Sequence, residues 1–182
     1  MGKLFVISGS SGVGKGTVLK EFLARHPEFE LSISCTTRKP RVGEQHGINY
    51  FFLSEEEFKK VIEDGDFLEW AEFSGNKYGT KKSYVEKCLN ENKNIILELD
   101  TKGALNVKSL NPNAVLIFIA PPSIEELEAR LRGRNTENEE SIQKRLNSIA
   151  YEIKNSKQYD FSIINDDVEN TVNQLEKIMC EI

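Results

Sequence analysis

The strongest constraint on the fold is a strand, a glycine-rich loop and a helix that follow one another directly near the amino end. The apolar run KLFVIS (Lys3–Ser8) is typical of a buried strand. It leads into GSSGVGKGT (Gly9–Thr17), and the next segment, VLKEFLARH (18–26), repeats apolar residues at helical spacing. A strand that passes through glycines into an amphipathic helix predicts an α/β layer structure.

The rest of the chain continues this alternation. Three further apolar runs, NIILELD (Asn94–Asp100), NAVLIFIA (Asn113–Ala120) and FSIIN (Phe161–Asn165), read as buried strands. They are almost continuously apolar, and this pattern favours a parallel sheet that is covered on both faces. We therefore predict a doubly wound α/β fold around a parallel sheet.

Helix starts are indicated by capping boxes of the form S/T-x-x-E, in which two side chains satisfy each other's free backbone N–H groups. The pairs are Ser54 with Glu57, Ser83 with Glu86, Ser123 with Glu126, and Thr136 with Glu139. A closing helix is predicted by one apolar stripe, formed by Val168, Val172 and Leu175.

Two segments interrupt the alternation. Residues 32–82 contain short strand-like pieces separated by turns, which indicates an inserted substrate-binding region of mixed α/β structure. Residues 123–156 follow two prolines and form a charged helical pair, which is typical of a hinged lid. The core of a single domain would then consist of residues 1–31, 83–122 and 157–182.

The composition indicates which binding partners and which cellular compartment to expect. The net charge of −5 predicts no general attraction to nucleic acid or to an anionic membrane surface. The longest apolar run is far too short to span a bilayer. The three cysteines form no C-x-x-C pair, and the two histidines, His26 and His46, have no partner pattern. We expect reduced thiols and a cytoplasmic location.

The glycine-rich loop fits the phosphate-loop pattern G-x-x-x-x-G-K-[ST] at every position except the last. Its glycines let backbone N–H groups converge on phosphate oxygens at the positive end of a helix, and Lys15 adds a point charge. The last position should carry a hydroxyl for Mg²⁺, but here it is Gly16, with Thr17 one residue later. The loop predicts a nucleotide site and a fold like that of P-loop NTPases.

Two further runs join this loop in a resemblance that covers essentially the whole chain. They are SCTTRKPRVGEQHGINYFF (Ser34–Phe52) and FLEWAEFSGNKYGT (Phe67–Thr80). Together with the loop, the D-x-x-G at Asp100–Gly103 and the lid, they closely resemble guanylate kinases. The resemblance implies phosphoryl transfer from ATP to GMP with Mg²⁺, with dGMP as a further candidate substrate.

The resemblance also implies roles for individual residues. ATP would bind to Gly9, Ser10, Ser11, Gly12, Val13, Gly14, Lys15, Gly16, Thr17, Arg130 and Asn165, with Mg²⁺ at Thr17 directly or through water. GMP would bind to Ser34, Arg38, Arg41, Glu44, Tyr50, Glu69, Tyr78, Thr80 and Asp100. The catalytic charges would be those of Lys15, Arg38, Arg134 and Arg145.

Physical chemistry supports the role of Glu69. Guanine presents N1–H and N2–H₂ as adjacent donors, which one carboxylate can accept together, whereas adenine presents an acceptor at N1. Ser34 and Thr80 could donate to the guanine O6. Taken alone, Glu69 would be a surface carboxylate, and Arg130 a partner of Glu126 on a solvated helix.

Some features depart from the family pattern, and two other functions stay open. Ser10 replaces the usual proline, Glu98 stands where aspartate is frequent, and Lys102 replaces glutamine near the expected metal. A kinase for another monophosphate would lack a carboxylate aimed at the base. A non-catalytic interaction module of the same fold would typically lack the intact GVGK run that is present here.

Overall fold

The computed structural model describes most of the chain. The described residues are 2–10, 12–73, 75–123, 125, 128, 132 and 139–182; in the helix that begins at Glu139, the side chains of 140, 141, 144 and 145 are outside the description. Ser11, Arg130 and Arg134 lie outside these residues, as do Glu126, the expected partner of Ser123 in a capping box, and Thr136, the expected cap before Glu139.

Five strands form the main sheet: β1 Leu4–Gly9, β2 Phe29–Leu31, β7 Asn94–Glu98, β8 Val115–Ala120 and β9 Phe161–Ile164. They are all parallel and lie in the order β2-β7-β1-β8-β9. The first strand is central, with β7 on one side and β8 on the other. This sheet confirms the predicted doubly wound α/β fold.

The described residues include six α-helices. They are α1 Lys15–Arg25, α2 Glu55–Glu63, α3 Lys82–Asn90, α4 Thr101–Leu110, α5 Glu139–Asn155 and α6 Val168–Glu181. A 3₁₀ turn at Ser156–Gln158 follows α5. None of the helices that the structure describes has both the length and the apolar character needed to cross a lipid bilayer.

Both faces of the main sheet are covered, as the apolar strands predict. Phe5 and Ile7 of β1 point to one face and belong to a buried cluster with residues of α1 and α6, including Phe22 and Leu175. Leu4 and Val6 belong to the cluster on the other face, with residues of α3 and α4. Alternate residues of one strand therefore supply two cores.

A second sheet lies within residues 35–81 and has the order β4-β3-β6-β5. Its strands are β3 Cys35–Thr36, β4 Phe51–Phe52, β5 Phe67–Phe73 and β6 Asn76–Lys81. The sheet is mixed, since β3 and β4 are parallel while β6 is antiparallel to both β3 and β5. It occupies the segment in which the sequence predicts an insertion.

Of two predicted capping boxes, one is confirmed and one is wrong. The capping box at Ser54 is confirmed, because its hydroxyl accepts from the Glu57 N–H while the Glu57 carboxylate accepts from the Ser54 N–H. The box at Ser83 is wrong: α3 begins at Lys82, and the Ser83 N–H and hydroxyl both donate to Asp66 instead. A tertiary partner replaces the local cap.

Candidate functional site

The candidate site lies at the carboxyl ends of two neighbouring strands. The phosphate loop leaves β1 after Gly9, and β7 ends at Glu98, which pairs in register with Ile7. Ligands of open α/β sheets bind at this edge, where connections from adjacent strands diverge to opposite faces. The topology therefore places Lys15, Glu98 and Asp100 near one another.

Backbone geometry shapes the loop before α1. Gly12 and Gly14 adopt φ angles of +83° and +95°, a region that side chains other than glycine rarely enter. A Cβ at Gly9 would approach the Ile119 carbonyl oxygen to 2.4 Å. The Val13 side chain is buried, and its N–H donates to the Ser10 carbonyl at 3.1 Å. These contacts hold the loop close to the end of the sheet.

Asn165 supports the loop from beneath. Its Nδ2 donates to the Val13 carbonyl at 2.7 Å, and its Oδ1 accepts from the Thr171 hydroxyl at 2.8 Å. The side chain is 5% exposed. Its amide oxygen and nitrogen both have partners inside the protein, so Asn165 positions the loop. Its expected contact with ATP stays a prediction.

Lys15 is the cation of this loop and faces acidic groups. Its Nζ lies 3.6 Å from Glu98 Oε1, and its side chain is 19% exposed. Lys15, Glu98 and Asp100 line one cavity of about 620 Å³, together with Glu152 from the last turn of α5. The ammonium group is thus held at the cavity wall, where it could move to a phosphate.

Glu152 lines the cavity although no motif in the sequence points to it. Burial raises the pKa of its carboxyl, whereas the Ser10 hydroxyl and the Lys15 charge lower it. Its Oε2 and the Ser10 Oγ are buried without a hydrogen bond of good geometry. Only the helical position of Glu152, seven residues after Arg145 and so on the same helix face, could have indicated this placement.

A second cavity of about 290 Å³ opens beside the first. Ser34, Tyr50 and Asp100 line both cavities, so the two form one continuous cleft. Glu69 and Tyr78 line the smaller part only, and Gly9 and Lys15 the larger part only. The cleft therefore extends from the phosphate loop to the second sheet and brings together seven of the expected site residues.

Glu69 and Thr80 form a pair on adjacent strands of the second sheet. The Thr80 hydroxyl donates to Glu69 Oε1 at 2.9 Å, and Thr80 itself is 1% exposed. Burial raises the pKa of the Glu69 carboxyl above its ordinary value. In this structure the Thr80 hydroxyl orients the Glu69 carboxylate. The expected contact of Thr80 with a guanine base stays a prediction.

Arg38 and Glu44 form a fork-to-fork ion pair. Arg38 Nη1 and Nη2 donate to Glu44 Oε2 and Oε1 at 3.0 and 2.9 Å, and Glu44 also accepts from the Arg41 N–H at 2.8 Å. The guanidinium carbon of Arg38 lies 5.4 Å from the ring centre of Tyr50. Glu44 thus holds the turn that carries both arginines. The hydrogen bond from Arg38 lowers the pKa of the Glu44 carboxyl.

The remaining expected residues are placed less directly. Gly16 and Thr17 are exposed on the first turn of α1, and neither lines the two cavities. The backbone of residue 145 lies within α5, but the Arg145 side chain is outside the described part of the chain, as are Ser11, Arg130 and Arg134. Their assignments stay predictions.

The oxygen donors at this edge suit a hard cation. The Thr17 hydroxyl lies on the first turn of α1, and the carboxylates of Glu98 and Asp100 line the larger cavity. Mg²⁺ prefers oxygen ligands, keeps several waters and uses few protein groups. The residues present therefore fit a hydrated Mg²⁺ that accompanies a nucleotide.

Known proteins match this chain along its whole length. The family model described as guanylate kinase matches residues 1–182. A guanylate kinase from Prochlorococcus marinus subsp. pastoris is 50% identical over 177 residues, which are 97% of this chain and 96% of that protein. One from Clostridium perfringens is 52% identical over 178 residues, which are 98% of this chain and 82% of that protein.

A solved structure agrees with these sequences. The crystal structure of guanylate kinase from Anaplasma phagocytophilum superimposes with a TM-score of 0.77 at 31% identity, covering 99% of this chain and 85% of that one. The family match, the identity of about half the residues and the shared fold all lead to one conclusion. This chain belongs to the guanylate kinase family.

Proposed function

We propose that this protein transfers the γ-phosphoryl group of ATP to GMP and forms ADP and GDP. One observation supports this most directly: the continuous cleft has the phosphate loop with Lys15 at one end and the half-buried carboxylate of Glu69 at the other. Its two parts suit a triphosphate and a guanine base. Family membership of the whole chain agrees with this activity.

ATP would bind with its phosphates at the start of α1. The N–H groups of the loop and the helix end carry partial positive charge, and the first turn of α1 contains no acidic residue to oppose it. Lys15 would exchange its contact with Glu98 for a phosphate oxygen. Asn165 keeps the Val13 carbonyl engaged from below, so the loop is preorganised before the nucleotide arrives.

GMP would bind against the second sheet. The Glu69 carboxylate, oriented by Thr80, would accept from guanine N1–H and N2–H₂, and Ser34 lies in the same part of the cleft. The phosphate would meet the hydroxyls of Tyr50 and Tyr78 and the guanidinium groups of Arg38 and Arg41. An arginine fork matches a phosphate in two parallel hydrogen bonds, which a lysine cannot reproduce.

No residue of the cleft needs to act as a strong base, because the phosphate of GMP is already an anionic nucleophile. Mg²⁺, when bound near Thr17, Glu98 and Asp100, would offset charge on the phosphate oxygens. The chain's own contribution is alignment of the two nucleotides and compensation of charge by Lys15, Arg38 and, as the resemblance implies, Arg134 and Arg145. Closure of residues 32–82 and 123–156 over the cleft would exclude water and limit ATP hydrolysis.

Reduced cysteines fit this role. Cys35 and Cys88 are buried, Cys180 is exposed, and all three are free. Free thiols and pools of ATP and GMP are both features of the cytoplasm, where we infer that the protein works.

A coupled assay of ADP release tests the proposal. The purified protein is given ATP and Mg²⁺ with GMP, dGMP, AMP, CMP or dTMP in turn, and the formation of GDP is verified independently. We expect turnover with GMP far above that with AMP, CMP or dTMP. Turnover with another base instead would identify a different monophosphate kinase, and GMP binding without any ADP release would indicate a binding module.

A further inference from the structure

A cluster of possible metal ligands lies at the opposite end of α1 from the phosphate loop. His26 follows the last residue of α1, Glu28 precedes β2, and Cys180 is in the last turn of α6. Their ligand atoms all lie within 4.8 Å of one another. Because α1 has 11 residues, this cluster is about 16 Å along the helix from Lys15 and is separate from the proposed kinase site.

The distances are close to those of a formed metal site. His26 Nδ1 lies 3.0 Å from Glu28 Oε1 and 3.9 Å from Cys180 Sγ. In a tetrahedral zinc site, bond lengths of about 2.0–2.3 Å place the ligand atoms about 3.3–3.6 Å apart. The two distances from His26 Nδ1 differ from these values by only a few tenths of an ångström, and all three ligand atoms lie within 4.8 Å of one another.

The imidazole is held in the orientation that a ligand needs. Its ring stacks on Phe22 with centroids 4.7 Å apart and meets the edge of Phe29 at 6.1 Å. Both phenylalanines belong to the buried core. The ring therefore cannot turn freely, and Nδ1 is kept towards Glu28 and Cys180.

A second shell is also present. His26 Nε2 is buried and makes no hydrogen bond of good geometry, but Glu176 Oε1 lies 3.1 Å away, and Arg25 Nη1 lies 3.6 Å from the same oxygen. A histidine that binds metal through one nitrogen usually donates its other N–H to a carboxylate. Glu176 Oε1 is close enough to accept that proton after a small rotation of its side chain, which would fix the tautomer with Nδ1 free for metal.

Charge and access favour a cation here. The carboxylates of Glu28, Glu176 and Glu181 each contribute negative charge at the Cys180 thiol. A separate cavity of about 370 Å³ is lined by Glu28 and Cys180 and gives an ion a route to the cluster. The mixed set of thiolate, imidazole and carboxylate ligands suits Zn²⁺ and not Mg²⁺, which takes oxygen ligands.

We propose that His26, Glu28 and Cys180 bind one Zn²⁺-class ion, with water in the fourth position. The ion would link the end of α6 to the turn between α1 and β2. Their ligands Cys180 and His26 are 154 residues apart in the sequence. Because it binds the folded chain only, it would raise the melting temperature, and the gain in stability would grow with the logarithm of its concentration over its Kd. The site is independent of the proposed kinase activity.

Direct metal titration of the full chain tests this. Chelator-treated protein is titrated with Co²⁺ while thiolate-to-metal charge-transfer absorption is recorded, and then with Zn²⁺ against a chromophoric chelator to give Kd and stoichiometry. We expect one ion per chain and a thiolate band. Cys180→Ser should abolish the band, and Glu176→Gln should weaken Zn²⁺ binding by about 10–100-fold. His46→Gln, which changes the other histidine, should have no effect.

A second measurement covers the case in which Cys180→Ser does not fold. Cys180 is the exposed thiol of the three, so iodoacetamide should modify it first in the unaltered protein, and bound Zn²⁺ should protect it. No saturable binding, a thiolate band that survives in Cys180→Ser, or Cys180 alkylation at an unchanged rate in Zn²⁺ would each overturn the proposal.

Discussion

In the phosphate loop the groups that would face a ligand belong mainly to the backbone, whereas in the second sheet they belong to side chains. The loop is positioned by fully packed neighbours: every residue of β1 is buried, and Val13 and Asn165 lie beneath the turn. In the second sheet, Arg38 is positioned by Glu44, and Glu69 by Thr80. One region is held by the core, and the other by pairs of functional groups.

This difference predicts how each region responds to change. A loop built from backbone has few side chains that can be removed without disturbing the fold, and Lys15 is the main one. A surface built from paired side chains can lose one contact at a time, with graded losses of affinity. We expect mutations in the loop to act on turnover or folding, and mutations in the second sheet to act on GMP affinity.

Lys15→Ala should give the largest effect. We expect kcat to fall by about 10²–10³-fold or more, as when one preorganised group that stabilises transition-state charge is removed. The melting temperature should hardly change, because Lys15 contacts Glu98 at the cavity wall and not the core. Steady-state kinetics and thermal unfolding measure both quantities, with Lys20→Ala on the exposed side of α1 as the control. A folded Lys15→Ala protein with normal kcat would exclude the loop from the reaction.

Glu69→Gln should weaken GMP binding by about 10²-fold or more, since two hydrogen bonds to a charged acceptor are each worth about 1.5–3 kcal/mol. ATP binding should change little. Isothermal titration with each nucleotide separates the two, and Glu56→Gln on the exposed face of α2 is the matched control. Equal losses for both nucleotides would place Glu69 outside the base site.

The same carboxylate predicts a pH dependence. Burial raises the pKa of Glu69 above the ordinary value of 4.5, so on acidification it takes up a proton sooner than an exposed glutamate. The protonated acid cannot accept from both guanine donors, and GMP affinity should fall as the pH drops through this raised pKa. For folding the sign is opposite: the native state holds this proton longer than the unfolded state does, so the contribution of Glu69 to stability falls as the pH rises. The phosphate of GMP also takes up a proton at about pH 6, so GMP titrations from pH 4.5 upwards should show a slope in both proteins that is smaller in Glu69→Gln.

Arg41→Lys should have an intermediate effect that is confined to GMP. A point charge cannot reproduce a bidentate fork, and the loss of a charge-assisted bond corresponds to about 1.5–3 kcal/mol, or about 10–150-fold in affinity. Lys39→Ala, two residues away on the same exposed turn, is the control. If ATP affinity falls as much as GMP affinity, Arg41 does not belong to the GMP site.

Asn165→Ala should destabilise the phosphate loop. It leaves the Val13 carbonyl and the Thr171 hydroxyl without their amide partner, and a buried group left unsatisfied costs about 1–3 kcal/mol. We expect a lower unfolding midpoint in urea and a raised KM for ATP with little change in KM for GMP. Asn106→Ala, at an exposed position of α4, controls for loss of an amide. An unchanged midpoint would mean that Asn165 does not support the loop.

The contiguous features of this fold could be predicted from sequence, and the dispersed ones could not. The phosphate loop is one run of residues whose spacing itself encodes the geometry, and the long apolar strands reveal the parallel sheet. β2 was missed because Phe29–Leu31 is only three residues long and one of them is charged. Ser83 was assigned a cap because a local pattern cannot show a distant partner such as Asp66.

The same limit applies to the candidate sites. Resemblance to a family supplied Glu69 and Arg38, whose partners lie 11 and six residues away. No family motif pointed to Glu152, which reaches the cavity only because α5 ends beside the phosphate loop. His26 and Cys180 have no meaningful spacing in sequence, since packing of α1 against α6 brings them together.

Gly16→Ser should give the smallest change in stability, and its sign should be opposite to that of Gly14→Ser. A Cβ at Gly16 would meet nothing within 4 Å, and the residue lies in the first turn of α1, so serine should stabilise the helix by about 0.5 kcal/mol. At Gly14 a Cβ would need φ near +95° and would lie 3.0 Å from Asn165 Nδ2, so Gly14→Ser should cost about 1–2 kcal/mol. Urea unfolding midpoints of the pair measure this contrast. Gly16→Ser also places a hydroxyl at the motif's last position; if Thr17 already serves the hydrated Mg²⁺, the Mg²⁺ concentration for half-maximal activity should not fall. Two midpoints displaced equally downwards would show that the whole loop, and not its left-handed glycines alone, rejects side chains.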